Sequence, residues 1–302
     1  MAQLNRGRDE RRDYHHFVPK LLLRHFSADD GCVTVYNRDS NWSLFRRSPD
    51  RIGEQKHLYS PEVGENTTGD PKDDTVERWL EREVDGPAGK PLRQLAEGAR
   101  IDDLSTDEFY AMAGFVGMQD IRVPKSADLL VPAFAEAAEA GIMDTDTAFD
   151  ALNSRGLKIS REEIREFQRE HRDDLVKLFA KPSWLDFLVE NKGRATAHVA
   201  GKLWFLIDAP DESAFLTSDL AIIKFFRDFR YPCSHHFGDF EGRDHWLMPI
   251  SPKRALALAP VWSRGAPLST VAFVAAANRQ LIKDARRFVY SRDAVDIEAL
   301  TV

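Results

Sequence analysis

Apolar residues along the chain follow two spacings, one suited to helices and the other to strands. In HHFVPKLLLRHFS, Val18, Leu21, Leu22 and Phe26 recur at helical intervals and Pro19 suits a first turn, which predicts a short helix from about 17 to 26. The segment CVTVYNRDSNWSLFRRS alternates apolar and polar residues on both sides of Asn-Arg-Asp-Ser-Asn, the pattern of a β-hairpin with a loop of several residues. Residues 60 to 72 are a loop by composition, followed by the helix DTVERWLEREVD and, after a break at Gly86-Pro87, a second helix carrying Leu92 to Ala96.

Ser105 with Glu108 forms a capping box that opens the helix DEFYAMAGFVGMQDIR, which should end near Val123 because Pro124 disfavours helical geometry before it. From 125 to about 200 the pattern stays helical, and a second capping box, Ser160 with Glu163, starts one long charged helix. After Lys202, LWFLIDA and AFLTSD read as two strands joined by a turn, HWLMPIS and ALALAP as another pair, and 270 to 290 as a last helix. The expectation is an α+β fold, mainly helical, with one small, mostly antiparallel sheet built from N-terminal and C-terminal segments. Residues 1–302 read as a single domain with a largely helical middle at about 72–200.

Composition narrows the setting. With 43% hydrophobic residues, 19 Phe and 6 Trp, the chain can bury a core without staples. The two cysteines, Cys32 and Cys233, are too few for a disulfide framework, and no apolar run approaches the ~20 residues that span a bilayer. A cytoplasmic protein with no membrane role is expected. The net charge of −7 argues against a general nucleic-acid coat, and the basic groups Arg6, Arg8, Arg11, Arg12 and Arg46, Arg47, Arg51 read as solvated surface.

Candidate chemistry starts where polar residues fall on apolar stripes. Gln119 and Arg122 continue the stripe Met112, Phe115, Val116, and Asn278 lies between Val274 and Leu281, so all three face inward or into a cleft. Buried polar groups need partners, either a structural network or a ligand. His15 and His16 adjoin a helix start and point in different directions; one would cap or pack there, or enter a site as acid or base. Thr217, Ser218 and Asp219 end an apolar run, where a carboxylate serves as a catalytic acid or as a helix cap. The segment CSHHFGDFEGRDHW gathers Cys233, His235, His236, Asp239, Glu241, Asp244 and His245, enough ligands for a divalent metal but at irregular spacing, so a solvated loop without a structural metal is expected. Phosphate-loop, HExxH, GxSxG and paired CxxC motifs do not occur.

In series, HHFVPKLLLRHF (15–26), Val35-Tyr36, QDIRVPK (119–125), FLTSD (215–219), MPISP (248–252) and NRQLIKDARRFVYS (278–291) resemble the bacterial family catalogued as domain of unknown function 4238. Where that family typically continues with Asn-Pro after Thr-Ser-Asp, Leu220 and Ala221 stand here. The resemblance implies a shared polar cluster drawn from His15, His16, Gln119, Arg122, Thr217, Ser218, Asp219 and Asn278, and no particular reaction. Two functions follow as expectations. One is a hydrolase or nuclease on a phosphate-containing substrate, with His15, His16, Asp219 and Asn278 as catalytic groups and Gln119, Arg122, Thr217 and Ser218 holding substrate. The other is a binding or regulatory protein whose buried cluster is structural. A divalent metal cofactor and a nucleic-acid partner stay open, as does whether the chain is an enzyme.

Overall fold

Caps and breakers set the ends of the helices. In the computed structural model, which describes residues 14–60, 74–142, 144–154, 156–157, 159–226, 229–236, 244–263, 265–295 and 297, Tyr14–His16 is a short strand, β1. Helix α1 (Lys20–Arg24) follows it, with Pro19 in extended geometry before the helix instead of inside its first turn. Of the predicted loop at 60 to 72, residues 61 to 72 lie outside the described residues.

Helix α2 (Thr75–Leu80) runs through a wide π turn, Glu81–Asp85, into α3 (Gly86–Glu97), so the expected break at Gly86-Pro87 is absent. The π turn brings the Glu81 carbonyl to where a Gly86 side chain would sit, 3.0 Å from a built Cβ, and glycine accommodates it. Helix α4 (Thr106–Ile121) begins at the expected capping box: Ser105 Oγ accepts from the Glu108 amide, and the Glu108 carboxylate accepts from the Ser105 amide at 2.9 Å. Pro124 then opens α5 (Pro124–Ile142), a first position where proline loses no hydrogen bond. Next come α6 (Thr145–Ser154), α7 (Arg161–Glu170), capped by Ser160 and Glu163, and α8 (Arg172–Ala200). His171, at φ −109° and ψ 18°, divides the single helix expected after Ser160 into α7 and α8. No helix among the described residues is long and apolar enough to cross a membrane.

The strands form a two-stranded ribbon and two larger sheets instead of the one expected. The ribbon pairs β1 with β4 (Glu54–Lys56). The predicted hairpin is present as β2 (Val33–Asn37) and β3 (Ser43–Arg47). Its sheet has the order β3-β2-β11-β6, with β6 Thr217–Ser218 and β11 Phe288–Ser291. The other sheet is β5-β10-β9-β7-β8, made of Leu203–Asp208, Arg254–Ala259, His245–Ser251, Ile223–Phe226 and Tyr231–Cys233. All pairings are antiparallel. LWFLIDA and AFLTSD therefore enter different sheets and make no hairpin: Leu206 of β5 lies opposite Leu256 of β10, while Thr217 lies opposite Tyr290 of β11.

The last helix, α9, is Val271–Asp284, shorter than expected, and the aromatic and β-branched run after it is β11. Alternation along the five-stranded sheet explains its burial on both faces. Trp246, Met248, Ile250, Leu256 and Leu258 join one core with Leu22, Leu92, Phe115 and Trp184 of α1, α3, α4 and α8. Leu247, Ala255, Ala257 and Ala259 join a second core with Phe225, Val274 and Leu281, where small alanines leave room for α9.

Candidate functional site

The turn that ends α4 meets the ribbon and the π turn at one place. On β1, neighbouring side chains leave on opposite faces, and His15 is the fully buried one. Its ring stacks on Tyr59, 5.7 Å between centroids, and its Nδ1 accepts the Tyr59 amide at 2.7 Å. A neutral His15 therefore carries its proton on Nε2. The Tyr59 hydroxyl donates to the Arg122 carbonyl at 2.7 Å, and burial drives its pKa well up. Arg122 has no solvent exposure and donates from Nη1 to Asp85 Oδ1 at 2.8 Å. Burial opposes the Arg122 charge, but the negative groups around it, Asp85 first, outweigh that and hold its pKa above the ordinary value. Burial likewise pushes the Asp85 carboxyl up against the pull of Arg122.

His16 faces the other way, towards carboxylates. Its amide donates to Glu77 Oε1 at 3.0 Å, its ring Nδ1 lies 3.7 Å from the same oxygen, and its Nε2 lies 3.4 Å from Glu54 Oε2. A pocket of about 320 Å³ opens here, lined by His16, Lys20, Arg24, Glu77, Glu81 and Asp85 among others. The structure thus links His15, His16 and Arg122 through Tyr59, Glu77 and Asp85.

Asp219, Ser218, Thr217 and Asn278 form a second group. Asp219 accepts from the amides of Arg286, Arg287 and Phe288 at 2.8, 2.5 and 2.9 Å; burial raises its pKa while those amides pull it down. Ser218 Oγ donates to the Leu220 carbonyl at 2.9 Å and accepts the Leu220 amide. Asn278 Oδ1 accepts the Leu216 amide at 3.0 Å and Nδ2 donates to the Ala214 carbonyl at 2.8 Å. The Thr217 hydroxyl is buried and has no hydrogen-bond partner among the described residues. These side chains brace β6 against α9 and β11. Gln119 is spent on its own helix, donating to the Phe115 carbonyl at 3.0 Å. Tyr290 stands between the two groups: Asp219 acts electrostatically on its buried hydroxyl, which neighbours the backbone of Gly53, and Gly53 O accepts the amides of Phe17 and Val18.

A third cluster joins the segment from Cys233 to His245 to Asp120 and Lys224, which the apolar pattern does not single out; His235, Asp244 and His245 are buried there and not solvated as expected. Lys224 Nζ and His235 Nε2 lie 3.0 and 3.2 Å from Asp120 Oδ1, all three buried, and Lys224 also donates to the His236 carbonyl at 2.5 Å and lies 5.0 Å from the Trp246 ring centre. Burial disfavours the Asp120 charge, yet Lys224 and His235 outweigh it and lower its pKa. His236 Nε2 lies 2.5 Å from Asp244 Oδ2, and His245 Nε2 3.1 Å from Ser263 Oγ. Burial pushes the Cys233 thiol up to about 11. Asp239 and Glu241 fall outside the described residues. Among the described residues no three His, Cys, Asp or Glu side chains are placed to hold a metal ion. Lys224 is signalled only as the one charge inside LAIIKFF; Asp120, beside Gln119, lies one residue off the apolar stripe of α4.

No curated protein and no solved structure matches the chain. A family model does, over residues 14–294, and on that match the chain belongs to the family described as Protein of unknown function (DUF4238).

Proposed function

We propose that the chain is a hydrolase acting on a phosphate-containing substrate, with the pocket beside His16 as its reaction centre. The observation that carries the proposal is the His16 imidazole set between two carboxylates, Glu54 and Glu77, at a pocket that also presents Lys20 and Arg24. The two carboxylates fix the ring's orientation, and because Glu54 lies 3.4 Å from Nε2, longer than an ordinary hydrogen bond, an attacking water or a leaving oxygen can take its place there and exchange a proton with the ring. Lys20 and Arg24 seat the phosphate oxygens. Arg122, behind Asp85, and His15, behind Tyr59, are positioning residues for the pocket floor. Asp219, Asn278 and Ser218 support it through the backbone.

A small phosphoester suits the surface better than a polyanion, because Arg46 faces Asp30 at 2.7 Å and the pocket also carries Glu77, Glu81 and Asp85. A cytoplasmic setting accords with two free cysteines. One observation favours the second reading, a binding protein without turnover: the hydrogen bonds of Asp219, Asn278 and Ser218 all go to nearby backbone.

The test is turnover of a phosphomonoester, a phosphodiester and a single-stranded oligonucleotide, with and without magnesium or manganese. Wild type should hydrolyse one class, with His16→Ala lowering kcat by about 10²–10⁴-fold and Glu77→Gln by less. Equal turnover in wild type and His16→Ala sinks the proposal. No turnover in any arm, with phosphate esters still binding, supports the second reading.

A further inference from the structure

We infer that the pocket between the turn at 38–42 and the outer face of α9 binds a nucleotide, its base against Trp42 and its phosphate among Arg38, Arg279 and Lys283. This pocket, about 560 Å³, is lined by Arg38, Trp42, Pro232, Ala276, Arg279, Gln280, Ile282 and Lys283, and shares no residue with the pocket at His16. In a chain of net charge −7, it gathers three cations and, among the described residues, no acidic lining residue. Arg279 and Lys283 stand four residues apart on α9, a like-charge spacing that weakens a helix. Neither side chain makes an ion pair or a hydrogen bond among the described residues. The nearest acids in sequence are engaged elsewhere: Asp39 lies 2.9 Å from Arg287, and Asp284 accepts from Gln280 and from the His235 amide.

The geometry is set before any ligand arrives. The pocket adjoins the carbonyl end of α9, which would repel an anion, but Arg38 Nη1 donates to the Lys283 and Ala285 carbonyls at 3.3 and 2.7 Å. That bonding leaves Nε and Nη2 of Arg38 for a ligand and holds its guanidinium 5.8 Å from the Trp42 ring centre. Asn41 and Trp42 both have left-handed backbone, φ 50° and 59°, which asparagine adopts readily but a side chain as bulky as tryptophan rarely does. A bare phosphate would use the cations and ignore the indole, Pro232, Ala276 and Ile282. An aromatic base joined to a phosphate uses both, and the volume lies within the range of pockets for ligands of that size.

Calorimetric titration of the full chain at low salt with AMP, adenosine, inorganic phosphate and a single-stranded hexanucleotide tests this independently of any turnover. AMP should bind more tightly than the other three. Arg279→Gln with Lys283→Gln, both at exposed positions, should weaken AMP by about 100-fold, about tenfold for each cation removed. Trp42→Ala should weaken it by about tenfold or more, with Trp42→Phe restoring most of the loss if the first variant folds poorly. Adenosine or phosphate binding as well as AMP, no AMP binding at millimolar concentration, or unchanged affinity in the double variant would overturn the inference. A hexanucleotide that outcompetes AMP would overturn the enclosed mononucleotide.

Discussion

Replacing Gly117 with alanine tests the packing that positions α4. A Cβ built at Gly117 would lie 2.8 Å from the Ala195 carbonyl oxygen and 2.9 Å from both its carbonyl carbon and its Cβ, so the obstacle is largely the backbone of α8, which cannot swing aside. At Gly114, one turn earlier, the nearest atom is the Thr196 hydroxyl at 3.0 Å, a side-chain atom that need give only a few tenths of an ångström and can keep its bond to the Lys192 carbonyl. Alanine in place of glycine gains about 1 kcal/mol of helix propensity at either site. Forcing two packed helices apart costs about 1–3 kcal/mol, and more where backbone is met directly. Gly114→Ala should then be neutral to slightly stabilising, and Gly117→Ala destabilising by about 1–2 kcal/mol, visible as a lower urea midpoint at an unchanged slope. If Gly117→Ala matches or exceeds Gly114→Ala in stability, α4 and α8 are not in contact as described. Because Arg122 follows on the same helix end, any turnover found at the proposed His16 site should fall in the same variant.

Further outcomes follow from individual groups. Hydrogen bonds from Lys90 and from the Ser105 amide and hydroxyl hold the Glu108 carboxyl down at about 2. Its folded pKa is depressed, so its contribution is full above the unfolded value of ~4.5 and is lost as pH falls towards 2; NMR titration reads the midpoint, and Glu108→Gln should flatten this part of the acid limb. The Cys233 thiol, pushed up to about 11 by burial, should alkylate slowly at pH 8 in a Cys32→Ser background and accelerate as the pH is raised towards 11; a rate already at its plateau at pH 8 contradicts the burial. Asp219→Ala strands three amides and should cost about 3 kcal/mol or more in thermal or urea unfolding; a loss below 1 kcal/mol would argue against its bracing role.

Structure is most legible in the sequence where a rule is local. Both capping boxes form as expected, because Ser105 and Ser160 need only a glutamate three residues on, and the hairpin at 33–47 follows from alternation across one turn. Phe288 to Tyr290 read as helix in sequence and are strand in the fold, because their pairing is set by β2 and β6, hundreds and tens of residues away, and by Asp219 drawing in the amides of 286–288. Burial of Gln119, Arg122 and Asn278 is legible from their place on apolar stripes, and it holds. Their partners are not: nothing near Arg122 in sequence points to Asp85 in a π turn, nor anything near Asp120 to Lys224 on a strand.

The position of β11 also bears on the order of events during synthesis. It lies between β2 and β6, so the N-terminal hairpin and the Thr217–Ser218 strand stay unjoined until Phe288 to Ser291 has left the ribosome. Until then β2 and β6 each carry an open edge, the kind of surface that recruits strands from other chains. A nascent chain stalled near residue 285 should therefore depend on chaperones, whereas the released chain of 302 residues, with β11 free to pair, should not.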